Sequence, residues 1–554
     1  MSGVRKPAWA VMTVLLSAVA LSPAAGQNLL AELGCGGCHP GVPVEENFRS
    51  KTPDLTFAGE RYQPAWLFRY LQQPEKIRVH IGRSRMPDFN FSAEQALAVT
   101  LFLQEQKSDP SRRPLAATSE AADTAEKIPT PELISRTGCL QCHTLDGTGA
   151  GTAAELTRMG RRLQQDWLQN YLVQPQFYGV PAAVMPALFF TADSTRGTLQ
   201  QRLPGARRKI SEIARFLAAR GKDERSEDEE LFRQARTAFP NATAELGKTL
   251  FLSQNCLACH RLKGLEAPWQ YNAPPLAGAG GRLRSDWLAD FLQKPTPVRP
   301  AGYFPGSGSR MPDFHLDDEE VREILAFLKP EKESSADVPA PLSPFARRKI
   351  EKMLHEKLSC LGCHQLDGRG GRIGPDLSAV GSRLQPAFIA ALLRDPVAVL
   401  GHRAMPVHPM PAGRREALVR YLTHKTGPAA AQSLPEFTPW FYPQNPRSAP
   451  ELYRAYCASC HGLQGQGDGF NASFLPVKPT AHADRAAMAP RADDTLFDGI
   501  AAGGMILDKH PFMPAWGKTL RAAEIRSLVA YMRTLCRCTQ PEWAQEARGT
   551  NRKP

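Results

Sequence analysis

Past its first two dozen residues, the 554-residue chain has no long apolar run. A bilayer-spanning helix needs roughly 20 consecutive apolar residues, so the mature chain is expected to have no transmembrane segment. Cysteine is scarce outside one arrangement. Of 12 cysteines only Cys536 and Cys538 stand apart from it, which excludes a disulfide scaffold. No stretch reads as a flavin, molybdenum or copper domain, or as a catalytic constellation of another class. The formal charge of +13 is accompanied by no nucleic-acid-binding pattern, so no nucleic-acid partner is expected. The length suits several domains of roughly 100 residues.

What is present is one motif in five copies. Cys-x-x-Cys-His occurs at Cys35, Cys38 and His39; at Cys139, Cys142 and His143; at Cys256, Cys259 and His260; at Cys360, Cys363 and His364; and at Cys457, Cys460 and His461. Two thiols at this spacing can add across the two vinyl groups of a haem, and the following histidine becomes a nitrogen ligand of the iron. Paired Cys-x-x-Cys also builds zinc sites, but zinc spacing does not require a histidine directly after every second cysteine. The motif predicts five covalently bound haem c groups.

The amino terminus reads as a secretory leader over residues 1–26. Arg5 and Lys6 precede an apolar run from about Ala8 to Ala20, then Ser-Pro-Ala-Ala-Gly, with cleavage before Gln27. The run is too short for the rival reading, an uncleaved anchor. Export fits the haem chemistry, because c-type attachment is generally completed outside the cytoplasm, and the expected location is periplasmic or otherwise extracytoplasmic. Losing Arg5 and Lys6 leaves +11. Five haems bring roughly ten propionate charges, so the holoprotein is near neutral as a field source. The Lys and Arg residues are expected to meet propionates and to form a docking face.

The chain repeats internally. Cys35 and Cys256 are 221 residues apart, as are Cys139 and Cys360, Leu55 and Leu276, Arg61 and Arg282, Trp66 and Trp287, Gly160 and Gly381, and Pro175 and Pro396. A pair of modules was duplicated as a unit and followed by a distinct fifth. Each module follows one plan. A helix delivers the motif (Asn28–Leu33, Pro131–Arg136, Ala244–Leu252, Phe345–Leu358, Ala449–Tyr456). In the first four, a helix with an aromatic–leucine stripe (Trp66–Leu71, Trp167–Leu172, Trp287–Leu292, Phe388–Leu393) stops before Pro74, Pro175, Pro295 or Pro396. A Met-Pro loop and an amphipathic helix close the module (Ala93–Gln104, Ala206–Ala219, Asp317–Leu328, Arg414–His424, Ala522–Leu535). The expected fold is all-α, with modules at 27–107, 128–222, 242–330, 344–427 and 446–540 and a polar tail at 541–554. Ser108–Lys127, Glu331–Pro344 and Gly427–Pro450 read as linkers. Lys222–Thr243 reads as a charged, exposed stretch with a short helix, and Gln545–Pro554 as disordered.

This plan resembles class I cytochrome c across five modules, nearly all of the mature chain apart from linkers. The resemblance implies a distal methionine before the last helix: Met86, Met185, Met311, Met405 and Met513, each followed by proline. A thioether opposite histidine stabilises ferrous iron and raises the potential. Met159 competes with Met185 but lies early, in the Gly-x-Arg-Leu loop. Near Met405 stand Met410, His402 and His408, the histidines reading as exposed loop residues or as ligands of a switching haem. The family often sets a proline carbonyl on the proximal histidine; Pro53, Pro275 and Pro375 match, and Ala154 departs, implying a differently tuned second site. The fifth module is nearest to ordinary family members. Cys536 and Cys538 can pair with each other, join another subunit or bind a metal. The resemblance implies a carrier of electrons between other redox proteins or a membrane respiratory complex, more readily than an enzyme with one labile haem in module two or four.

Overall fold

In the computed structural model of the chain, residues 23–45, 51–117, 128–179, 184–192, 199–266, 273–304, 306–308, 310–328, 338–427, 443 and 445–549 are described. Residues 1–22 of the stretch read as a leader lie outside them, as does part of each stretch read as a linker.

Helices form where the apolar spacing asks for them. The motif-delivering helices run Pro23–Glu32, Thr130–Arg136, Ala244–Ser253, Pro344–Glu356 and Ala449–Tyr456. The aromatic–leucine helices run Pro64–Gln72, Gln165–Val173, Ser285–Gln293 and Pro386–Arg394. Each stops two residues before its proline, because the residue preceding a proline is pushed out of helical geometry. The closing helices are Ala93–Gln104, Ala206–Ala218, Asp318–Leu328, Ala412–Thr423 and Ala522–Cys536. Ser92 and Gln95 cap the first of these reciprocally. Two small antiparallel ribbons, Thr144–Leu145 with Thr148–Gly149 and Phe190–Ala192 with Leu199–Gln201, interrupt the helical plan in module two.

The motif-delivering helix packs on its own module's closing helix in modules two, four and five. Modules one and three exchange it. The Pro23–Glu32 helix lies on Asp318–Leu328, and Ala244–Ser253 lies on Ala93–Gln104. Leu29, Leu30 and Leu33 share a buried cluster with Leu292, Val321, Ile324 and Leu328, while Leu250 and Phe251 join Leu97, Val99, Phe102 and Leu103. Each buried leucine contributes about 1.5–3 kcal/mol, so the crossings are strong contacts. Both need a glycine. A Cβ on Gly26 would lie 2.1 Å from the Glu323 carbonyl oxygen, and one on Gly247 would lie 1.9 Å from that of Ala98. Gly26 and Gly247 are one repeat apart.

The bodies of modules one and two join through reciprocal bonds. Gln63 N donates to Arg162 O (2.8 Å), and Gln164 N donates to Arg61 O (3.0 Å). Modules three and four repeat this with Arg284 N to Arg383 O (3.0 Å) and Gln385 N to Arg282 O (2.9 Å). Modules four and five meet at Asn471, fully buried, whose Nδ2 donates to Gly362 O (2.9 Å) and whose Oδ1 accepts from Arg372 N (2.7 Å).

Two local expectations change, and one open alternative is decided. Lys222–Ala238 is a 17-residue helix, and it is not wholly exposed. Asp228 is 1% exposed because Arg161 (2.8 Å) and Arg69 (3.5 Å) hold its carboxylate. A helix over Glu542–Gly549 occupies the first half of the stretch read as disordered. Cys536 and Cys538 are joined to each other by a disulfide.

Candidate haem sites

Each motif sits at the end of its delivering helix, and in the first three a short 3-10 turn (Cys35–Gly37, Cys139–Gln141, Cys256–Ala258) carries the cysteines. The turn follows Gly34, Gly138 or Asn255 in left-handed geometry, which glycine and asparagine adopt at low cost. The histidine amide then bonds back to the first cysteine's carbonyl at 2.9–3.0 Å in all five copies.

All five imidazoles are oriented by one device. Nδ1 donates to a backbone carbonyl: His39 to Pro274 (2.7 Å), His143 to Ala154 (2.6 Å), His260 to Pro53 (3.0 Å), His364 to Pro375 (2.8 Å) and His461 to Thr480 (2.8 Å). This fixes the tautomer with a lone pair on Nε2, the state that ligates a metal. Burial lowers the pKa of His39, His260, His364 and His461 and keeps the rings neutral. Module two therefore keeps the bond that its missing proline had put in doubt, because a backbone carbonyl serves whatever side chain it carries. Pro274, not Pro275, supplies the acceptor in the third module's loop. As with the helices, His39 and His260 take their carbonyls from each other's modules.

Burial pushes the Cys35, Cys256 and Cys457 thiols up to about 12 and Cys38 and Cys360 to about 11. Such thiols are protonated at neutral pH, unlike the exposed, low-pKa thiolates of redox dithiols. Cys142 alone among the ten is exposed.

A continuous, largely apolar cavity of about 720 Å³ runs past four motifs and is lined by Met86, Met185, Met311 and Met405. Met159 lines it too, but its sulfur already accepts from Arg162 Nη2 (3.2 Å). Met410 packs into the module-four core instead. The nearby histidines are not exposed: His408 Nε2 meets Ser359 Oγ (2.8 Å), and His402 lies edge-on to Tyr303 and Phe304. Burial, then Arg299, lowers His402 to about 4. Met513 packs separately, against the fifth core of Tyr456, Leu496 and Trp516.

Residues 244–330 match the family model for cytochrome c, and residues 444–532 match that for cytochrome C oxidase, cbb3-type, subunit III. The chain carries cytochrome c domains. No curated protein and no solved structure matches. Cytochrome c domains hold covalent haem c, exchange electrons with redox partners and are usually extracytoplasmic. No described helix is long and apolar enough to cross a membrane.

The residues around the cytochrome c motifs fit haem in a second respect. Arg61, Arg78 and Arg162 crowd between modules one and two, and Arg282, Arg299 and Arg383 between modules three and four. Burial first, then like-charged neighbours, pulls Arg162 down to about 10 and Arg383 to about 9. The Nε atoms of Arg61 and Arg310 are buried without a hydrogen-bond partner. Buried cations are costly unless an anion compensates them, and propionates are such anions. Pattern reading missed His482, which stacks on His461 (centroids 4.0 Å apart) and meets Tyr453 Oη at 3.0 Å. Its only signal was its place two residues after Thr480.

Proposed function

We propose that the protein is a pentahaem c-type cytochrome that carries electrons between redox partners in the cell envelope. Cys35, Cys38, Cys139, Cys142, Cys256, Cys259, Cys360, Cys363, Cys457 and Cys460 would hold the haems. His39, His143, His260, His364 and His461 would ligate iron on one side, with Met86, Met185, Met311, Met405 and Met513 on the other. Haem supplies one-electron exchange at iron; the chain orients the imidazoles, compensates propionates with buried arginines and excludes water. The observation that carries this reading is the fivefold repetition of one proximal device, an Nδ1-to-carbonyl bond of 2.6–3.0 Å after every Cys-x-x-Cys pair. A conducting subunit of a membrane respiratory complex uses the same sites, and the oxidase-subunit model matching residues 444–532 is in keeping with it.

Intact mass and haem absorbance should give five haems per chain, and a carbon monoxide difference spectrum of the reduced protein should show no binding. A count below five refutes the pentahaem reading. Binding near one haem in five would favour an enzyme with a labile ligand in module four, where two methionines and two histidines share one loop. There, Met405→Ala should remove one methionine-ligated haem signal, and Met410→Ala should leave all five.

A further inference from the structure

We propose that the first and third haem sites are each assembled from both copies of the duplicated module, so that Cys35, Cys38 and His39 are served by Met311, and Cys256, Cys259 and His260 by Met86. The proposal rests on the haem reading above for what the motifs hold. It adds which distal half completes which proximal half.

Four sets of contacts support it. The proximal carbonyls are crossed, Pro274 on His39 and Pro53 on His260. The delivering helices are crossed, with Gly26 against Glu323 and Gly247 against Ala98. The segment around Pro53 runs along the third motif: Thr52 Oγ1 donates to Cys259 O (2.7 Å), Leu55 N to Arg261 O (2.8 Å), and Lys263 N to Thr56 Oγ1 (2.9 Å). Finally, Cys35 and Met311 pack against one hydrophobic cluster, and Cys256 and Met86 against the other.

The arrangement has an internal two-fold character. A Cβ on Gly37 would meet Ala258 at 3.1 Å, and these two positions are one 221-residue repeat apart. The two Met-Pro-Asp-Phe loops pair antiparallel, Asp88 N to Asp313 O and Asp313 N to Asp88 O, both at 2.7 Å. Equivalent residues touching each other is the signature of an isologous, element-exchanging interface, formed here within one chain. Arg83 fastens it, bonding Glu32 on the exchanged helix and Glu323 (2.9 Å) on the helix that receives it. Closure of each module on itself would keep the helix–helix surfaces but would lose the Gly37–Ala258 and Asp88–Asp313 contacts.

The test removes one attachment site and asks which methionine falls silent. C35A/C38A is prepared as full-length holoprotein and shown by mass to carry four haems. The readout is the near-infrared charge-transfer band of ferric iron bound by methionine. Adding M311A should leave the band unchanged, and adding M86A should lower it by a quarter; the opposite pattern overturns the proposal. Should that protein not accumulate, C256A/C259A gives the reciprocal test, with M86A silent. Should neither accumulate, M311A and M86A are made in the five-haem chain and followed by deuterium exchange. Faster exchange is then expected over residues 23–45 for M311A and over 244–264 for M86A, and the reverse assignment overturns the pairing. A parent protein with fewer than five haems would refute the pentahaem reading, whichever methionine proves silent.

Discussion

The fifth module and the first show the same plan built in two ways. In the fifth, the Ala449–Tyr456 helix crosses Ala522–Cys536 of its own module, and His461 takes its carbonyl from Thr480, 19 residues on. In the first, the Pro23–Glu32 helix crosses Asp318–Leu328, and His39 takes its carbonyl from Pro274, 235 residues away. Local sequence specifies a motif, a helix and the surface that the helix seeks. When duplication offers two nearly identical surfaces, the choice falls to contacts that exist in only one arrangement, such as Gly37 on Ala258.

The largest expected break in this comparison is Gly247→Leu. Its side chain would drive into the Ala98 carbonyl, and overpacking of this kind costs about 1–3 kcal/mol or more. Thermal unfolding and haem content should both fall at the crossed pair, with the fifth module unchanged, since its delivering helix packs on its own closing helix, away from this crossing. Asn471→Ala strips the Gly362 and Arg372 backbone groups of their partner between modules four and five. A loss of about 1–3 kcal/mol in denaturant unfolding is expected, confined to that junction. Arg162→Gln removes a buried cation beside the proposed haem sites of modules one and two. A redox titration should show potentials there lowered by on the order of 60 mV, a tenfold change in a one-electron equilibrium, with the Arg383 side unaffected. The smallest effect concerns Glu524. Burial would raise its pKa, but bonds from Arg403 (3.0 Å) and Arg521 hold it at about 2. A depressed carboxylate stabilises fully above its unfolded value and loses that stabilisation as pH falls towards its folded one. The module four–five contact should therefore weaken below about pH 4.5, by about 1 kcal/mol or less, and Glu524→Gln should flatten the dependence.

The motifs, the Met-Pro positions and the helix ends were legible because each is a local signal: a fixed spacing, an apolar stripe, a proline that ends a helix. The exchange was not legible, since Gly26 and Gly247 read identically whichever helix they cross. Nor was the second module's proximal bond, because Ala154 acts through its backbone. His402 and His408 read as exposed, yet they are covered by Tyr303, Phe304 and Ser359, which come from other parts of the chain. The crossing also bears on where a leader, if the amino terminus is one, would end. Cleavage before Gln27 would discard Gly26, which occupies the first crossing, whereas a cut after the Ser22-Pro23-Ala24 triplet would keep it. Amino-terminal sequencing of the mature protein is expected to find Gly26 retained.

The crossing of Gly26 with Glu323 also bears on how the protein is made. About 300 residues separate the two. At a synthesis rate of 5–20 residues per second, the first motif emerges roughly 15–60 s before the helix that covers it exists. The second motif's delivering and closing helices both exist in that interval, while the first motif still lacks the helix that covers it. A contact of such long range also slows folding, since a large loop must close before any packing is gained. Maturation is then expected to proceed out of chain order, with the second site closing ahead of the first.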